Sequence, residues 1–146
     1  MIRYNVSQQI YFNKQLRGGK KYEKRAANKI CQKNNVTVVL ECNNYKYDFM
    51  TSDSVTYEVK HDMASVITNN FFIECASDGK PSGILTTEAQ YHILISDNIY
   101  YLILTETLKR LIHDKKYIRP ASTNITNRTD GFLFSKEVIT QNSVSL

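Results

Sequence analysis

Tyr45-Lys46-Tyr47-Asp48-Phe49-Met50, Thr51-Ser52-Asp53-Ser54 and Val55-Thr56-Tyr57-Glu58-Val59-Lys60 read as strand, polar turn and strand. Side chains alternate between the two faces of a strand. Glu58 and Lys60 therefore share one face, and Tyr57 and Val59 point to the other, toward a core. If the turn centres on Asp53, residues whose numbers sum to 106 stand opposite each other, which sets Asp48 across from Glu58.

Directly opposed cross-strand residues hold their Cβ atoms roughly 4.5–5.5 Å apart, and like charges there repel. A divalent cation between the two carboxylates reverses the sign of that interaction. Oxygen ligands without His or Cys favour Mg²⁺, with Mn²⁺ as a substitute, over zinc. The Val59 carbonyl is a candidate backbone ligand. Lys60, beside the pair, can orient or deprotonate an attacking water, or stabilise charge on a phosphorane-like transition state. Two acids, one lysine and one metal suffice for phosphodiester hydrolysis. The same residues also fit the solvated face of an ordinary hairpin, and by themselves they leave both readings open.

Upstream, Gly18-Gly19 reads as a break, and Lys20 to Lys33 as a helix with Tyr22, Ala26, Ala27 and Ile30 at helical spacing. Glu23 lies on the stripe of Ala27 and Ile30, which sets a third carboxylate, and a fourth candidate residue, at the edge of the buried face. Thr37 to Leu40 is a short strand. Downstream, Phe71 to Cys75 is a strand, and Asp78 to Gly83 a loop. Thr86 or Thr87 is expected to cap a short helix through Tyr91. His92 to Ile95 and Ile99 to Leu104 flank Ser96-Asp97-Asn98 as a hairpin. Thr105 is expected to cap a helix carrying Leu108, Leu111 and Ile112. Pro120 to Asp130 reads as a polar loop, Phe132 to Phe134 as a short strand, and the tail after Gln141 as loose. The order predicts one α/β domain over residues 1–146, a mixed central β-sheet flanked by helices.

The 146 residues carry a formal charge of +5, compatible with a polyanionic partner without identifying one. Cys31, Cys42 and Cys75 are odd in number and widely spaced, so neither a disulfide framework nor a zinc knuckle is expected; they read as buried small hydrophobes. His92 reads as a satisfied core-edge histidine. Neither a catalytic triad nor a Walker-type glycine loop is present. No apolar run approaches 18 residues and the N-terminus lacks a signal-peptide pattern, so a cytoplasmic protein without membrane contact is expected.

A helical Glu, an Asp in Tyr-Asp-Phe and a Tyr-Glu-Val-Lys that closes a hairpin resemble the PD-(D/E)XK nuclease superfamily. Glu23 matches the helical acid, Asp48 the motif Asp, and Glu58 and Lys60 the ExK pair. Tyr47 stands where the family's proline would be. Asn69-Asn70-Phe71-Phe72-Ile73-Glu74, Gly79-Lys80-Pro81-Ser82-Gly83-Ile84 and Thr86-Thr87-Glu88-Ala89-Gln90-Tyr91 resemble small phage- and virus-encoded members. The resemblance covers roughly residues 20–112. It implies a restriction-endonuclease-like core, an intracellular setting such as an infected host cell, and Mg²⁺-dependent cleavage of DNA. A structure-selective endonuclease of junction-resolvase or repair type, acting as a homodimer, fits a chain with no recognition domain.

The resemblance also implies that Thr86, Thr87 and Tyr91 begin a helix facing the cleft, where amides and hydroxyls suit a phosphate. Lys20, Lys21, Lys24 and Arg25, with Lys80 and Arg128, are candidate contacts to the DNA backbone. Asp62 and Glu74 are candidates for outer contacts to the site or for plain core-edge roles. The competing class is a catalytically silent nucleic-acid-binding module of the same fold.

Overall fold

The computed structural model describes the backbone over residues 6–42, 46–124 and 128–146. The first helix, α1, spans Val6–Asn34. It runs through Gly18-Gly19, where the sequence pattern predicts a break. Each glycine costs a helix about 1 kcal/mol, but neither flank contains a proline, and the runs on both sides are rich in good helix formers. Asn35, in the left-handed region at φ 52, ends the helix.

A meander follows: β1 (Val38–Glu41), β2 (Phe49–Thr51) and β3 (Thr56–His61). The β2–β3 register pairs Phe49 with Tyr57 and Met50 with Thr56, as the turn centred on Asp53 requires. Thr51 builds that turn. Its N–H donates to the Val55 carbonyl at 3.0 Å and its hydroxyl to Asp53 at 2.5 Å. Ser54 adopts φ 65. The second strand is predicted from Tyr45, which lies outside the described residues; the observed strand begins at Phe49.

After the short helix α2 (Ser65–Thr68) the chain enters a second sheet through β4 (Asn70–Ser77) and β5 (Lys80–Pro81). The segment expected to be a plain loop opens with a tight turn between β4 and β5. Asp78 (φ 50) and Gly79 (φ 77) both take the positive φ that a two-residue hairpin favours. A 3-10 turn at Gly83–Leu85 leads to β6 (Tyr91–Ser96) and β7 (Ile99–Leu104), the predicted hairpin. The helix expected from Thr86 to Tyr91 does not form. The Thr87 hydroxyl donates to the Lys46 carbonyl and accepts from the Ala89 N–H, both at 3.1 Å, and the Glu88 N–H donates to the Lys46 carbonyl at 2.7 Å. These bonds hold the segment against the stretch before Asp48, and Tyr91 joins β6.

α3 spans Thr105–His113 as expected, but Thr105 does not cap it. Its hydroxyl instead meets His92 Nδ1 at 2.8 Å. The predicted polar loop after Pro120 is a hairpin of β8 (Arg119–Asn124) and β9 (Arg128–Ser135). β8 is the edge strand, where a proline costs no ladder bond. α4 (Lys136–Gln141), capped by Ser135, and β10 (Val144–Ser145), paired to β7, replace the expected loose tail. Ile139, fully buried, anchors this end.

The larger sheet has the order β1-β2-β3-β6-β7-β10 and is mixed, because β3 and β6 pair in parallel while its other pairs are antiparallel. The smaller sheet, β5-β4-β9-β8, is antiparallel. On one face of the larger sheet α1 packs Ala26, Ala27 and Ile30 against Phe49, Tyr57, Ile93, Ile95 and Tyr100. A second core joins Leu94, Tyr101 and Ile103 to Phe71, Ile73 and Phe134 of the smaller sheet and to Leu108, Leu111 and Ile139 of the helices. The protein is thus α/β, with a mixed central sheet flanked by helices. No helix among the described residues is long and apolar enough to cross a membrane. The three cysteines are half-buried free thiols rather than fully buried.

Candidate active site

The site forms where β2 stops short of β3. Asp48 stands just before β2, and its N–H donates to the Tyr57 carbonyl at 2.8 Å while its own carbonyl accepts from the Cys42 N–H at 2.9 Å, so the ladder departs from the Phe49–Tyr57 register at this residue. The direct Asp48–Glu58 opposition expected from the turn is thus not a ladder pair, but the two carboxylates are close enough to act on each other. The Asp48 carboxylate then continues the ladder in place of backbone: Oδ2 accepts from the Val59 N–H at 2.7 Å. The N–H and C=O of one strand residue point to the same neighbouring strand. The Val59 carbonyl is thus directed at the gap beside Asp48, where it can serve as a ligand.

Glu58 keeps only 14 % of its side-chain surface accessible, and its Oε1 lies 3.4 Å from the Lys60 ammonium. Its Oε2 is buried and has no hydrogen-bond partner among the described residues. An orphaned buried carboxylate oxygen is costly unless it protonates or meets a cation. Burial raises the Glu58 carboxyl; Lys60 opposes this, Asp48 and Glu23 reinforce it, and the result is about 7. Burial also raises Asp48, against the Val59 hydrogen bond and Lys60, which lower it. Glu23, on the α1 turn facing this edge, is raised by burial and then by the negative charge of Asp48. Burial alone would lower the Lys60 ammonium, yet Glu58, Glu74 and Asp48 together outweigh it and its net shift is upward. The structure therefore brings Glu23, Asp48, Glu58 and Lys60 into one electrostatic cluster. No group of three or more His, Cys, Asp or Glu among the described residues is placed to hold a metal. The ligand set on offer is two carboxylates and a carbonyl.

Other expected residues divide. Lys20, Lys21, Lys24 and Arg25 are exposed on α1 around Glu23. Lys80 is exposed on β5. Arg128 is tied to Asp130 at 3.1 Å, and with Arg119 it lines a shallow depression on the smaller sheet that none of the four site residues lines. Tyr91 stacks on Tyr57 at 5.7 Å, on the α1 face of the sheet rather than the face of Glu58 and Lys60, and the Thr87 hydroxyl is spent on backbone. The phosphate-binding helix start expected from Thr86, Thr87 and Tyr91 is not there. Asp62 is structural: its two oxygens accept from the Ser65 N–H at 3.1 Å and the Phe72 N–H at 2.9 Å.

Three neighbours of the site are not among the expected site residues. His92 pairs with Glu58 in the parallel register and is 3 % exposed; burial, then Lys60 and Lys109, bring it down to about 3, so it stays neutral. Tyr22 and His61, each adjacent in sequence to a site residue, stack at 3.6 Å between ring centres. Period-2 alternation could have flagged His61, which shares a strand face with Tyr57 and Val59. No known family model, curated protein or solved structure matches the chain.

Proposed function

We propose that this chain is a Mg²⁺-dependent deoxyribonuclease with a restriction-endonuclease-like core, a structure-selective endonuclease that also accepts Mn²⁺. One observation carries the proposal: the buried Glu58 Oε2 lacks a partner among the described residues, and the Asp48 carboxylate is held beside it on the N–H of the next residue, Val59. A purely structural sheet gains nothing from like charges held side by side. Mg²⁺ binds through one or two carboxylates, completing its shell with water and substrate phosphate. Asp48, Glu58 and the Val59 carbonyl fit that requirement. Bound there, the ion would supply Lewis-acid polarisation of the scissile phosphate and a more acidic water.

The protein's own groups account for the rest. Lys60 stays a cation beside Glu58, which supports charge stabilisation over proton abstraction. Glu23, held half-buried on α1, is available to accept a proton from or orient a water at the same edge. The exposed cations of α1 hold the DNA backbone without reading its sequence.

Calorimetry and a cleavage assay test the proposal together. Wild type is expected to bind Mg²⁺ and to cut DNA until EDTA is added, and Asp48→Ala and Lys60→Ala to lose cleavage. Wild-type cleavage by Asp48→Ala would sink the assignment. No Mg²⁺ binding, with DNA affinity unchanged in Asp48→Ala, would make the chain a silent binding module instead.

A further inference from the structure

Two stretches of the chain hold its positive charge. Residues 20–33 and residues 109–128 each carry six Lys or Arg against one acidic residue, so the remainder of the chain is net negative. The first stretch is the α1 surface around Glu23. The second runs from the end of α3 into the β8–β9 hairpin. The fold sets them on opposite sides of the larger sheet. Ile93 and Ile95 of β6 pack with Ala27 and Ile30 of α1, whereas Leu94, between them, packs with Phe71 and Phe134 of the smaller sheet. Adjacent strand residues face opposite ways. Stacked sheets lie about 10 Å apart, so the two basic surfaces cannot hold the same phosphate.

Within the second stretch two arginines converge. Arg119 and Arg128 line one depression on the smaller sheet, together with Ser122, Asp130 and Phe132. Arg128 is oriented: its Nε donates to Asp130 Oδ1 at 3.1 Å, and the Ser122 hydroxyl donates to the same oxygen at 2.6 Å. Nε carries one of the five N–H donors of a guanidinium, which leaves the four on the terminal nitrogens for an anion. The backbone under Arg119 is fixed just before it. Tyr117 packs on Phe132 at 4.7 Å between ring centres, and the Ile118 N–H donates to the Leu133 carbonyl at 2.7 Å. Arg119 is exposed, and no carboxylate among the described residues pairs with it. Two guanidinium groups against one carboxylate leave the depression positive, and their planar forks match the oxygens of a phosphate.

We propose that this depression is a second binding site for the DNA backbone, where Arg119 and Arg128 hold a phosphate on the far side of the larger sheet from α1. The site rests on the reading of DNA as the ligand and not on cleavage. Tyr57 packs on the α1 side of β3, so Glu58 and Lys60, at alternate positions, face the smaller-sheet side, and Glu23 reaches the same edge from α1. The candidate catalytic cluster thus lies between the two basic surfaces, and a DNA held at both spans it.

The test is titration of a labelled four-way DNA junction by fluorescence anisotropy, in EDTA and across a range of salt. It uses the full chain as wild type, Arg119→Gln/Arg128→Gln and Arg119→Lys/Arg128→Lys, each alone and with Lys20, Lys21, Lys24 and Arg25 replaced by Gln. The Gln pair is expected to bind about tenfold more weakly, the scale of a lost charged hydrogen bond, and to reduce the slope of log K against log salt by about 1, the value for one phosphate. The Lys pair keeps the charge and the slope but binds severalfold more weakly, because an ammonium lacks the fork. Losses from the Gln pair and from the α1 replacements add, as they do for sites without shared partners. A Gln pair with wild-type affinity and slope overturns the proposal. So does a Lys pair that binds like wild type, which would reduce the site to diffuse charge, and so do losses that fail to add, which would put both regions on the same phosphates. If wild type binds the junction but, given Mn²⁺, cuts no DNA, the nuclease reading fails while the same titration still decides the site. If the Gln pair does not fold, the Lys pair carries the decision.

Discussion

Replacing Glu58 by Gln should stabilise the metal-free protein above neutral pH, although it removes a charged site residue. Burial carries the Glu58 carboxyl from its ordinary 4.5 to about 7. The folded chain thus holds this proton more tightly than the unfolded chain, and unfolding releases it. Stability from this group is fully present below pH 4.5, declines as pH rises, and is gone above about pH 7. At about 1.36 kcal/mol per pH unit the ionised carboxylate costs about 3 kcal/mol. His92 has the opposite slope: brought from 6.5 down to about 3, it contributes stability present above pH 6.5 that is lost in acid. The two overlap in mild acid and blur the wild-type profile, so the informative quantity is the difference between Glu58→Gln and wild type, in which His92 cancels. Gln resembles the protonated acid. The difference should be near zero at about pH 4 and reach about 3 kcal/mol in favour of Glu58→Gln at about pH 8.5, a Tm gain of about 6–12 °C for a chain of this size. Thermal denaturation in EDTA measures it. Adding Mg²⁺ should then raise the Tm of wild type, because a ligand bound only by the folded state stabilises it, by about 2.7 kcal/mol at 100 times its Kd. Glu58→Gln should not respond. A variant no more stable than wild type at that alkaline pH would refute the reasoning that Glu58 is a buried carboxylate awaiting a cation.

Further outcomes are expected elsewhere. Lys60→Met should abolish cleavage while leaving DNA affinity within about 1 kcal/mol, since one partly exposed cation adds little to binding; filter binding and single-turnover cleavage separate the two. Gly83→Ala should cost about 1–3 kcal/mol in urea denaturation, because it forces a positive φ on alanine and overlaps the Glu74 carbonyl. Asp62→Ala should cost about 1–3 kcal/mol by the same measurement, as it leaves the Ser65 and Phe72 N–H groups without their acceptor. Joint replacement of Lys20, Lys21, Lys24 and Arg25 by Gln should weaken DNA binding and reduce its salt dependence, read as the slope of log K against log salt.

The parts of the molecule legible in the sequence are those governed by short-range rules. The Asp53 turn and period-2 alternation are local, so the register that pairs Phe49 with Tyr57 follows from the residues alone, as do the 91–104 hairpin and the stripe carrying Glu23, whereas the departure of the ladder at Asp48 does not. What escapes such a reading depends on partners far along the chain. Thr86 to Tyr91 has the pattern of a capped helix, yet bonds to Lys46 pull it straight. Thr105 looks like a cap, yet its hydroxyl is taken by His92. β8 is polar and contains Pro120, and only its pairing to β9 at the open edge of the sheet makes it a strand. Glu74 can be named as a neighbour of the site, but its bond to Ser82 follows from a second sheet that no local pattern announces.

Metal-dependent DNA cleavage by Asp48, Glu58 and Lys60 is tested most directly on a panel of DNAs. Duplex, single-stranded, flapped and four-way-junction substrates are incubated with Mn²⁺ and either wild type, Asp48→Ala or Lys60→Ala, and read on a denaturing gel. Wild type should cut the branched substrates in preference to duplex and lose all cutting in EDTA, and both variants should be inactive. Cleavage that persists in EDTA or in Asp48→Ala, or a wild type that cuts none of the substrates, would contradict a metal-dependent nuclease built on these residues.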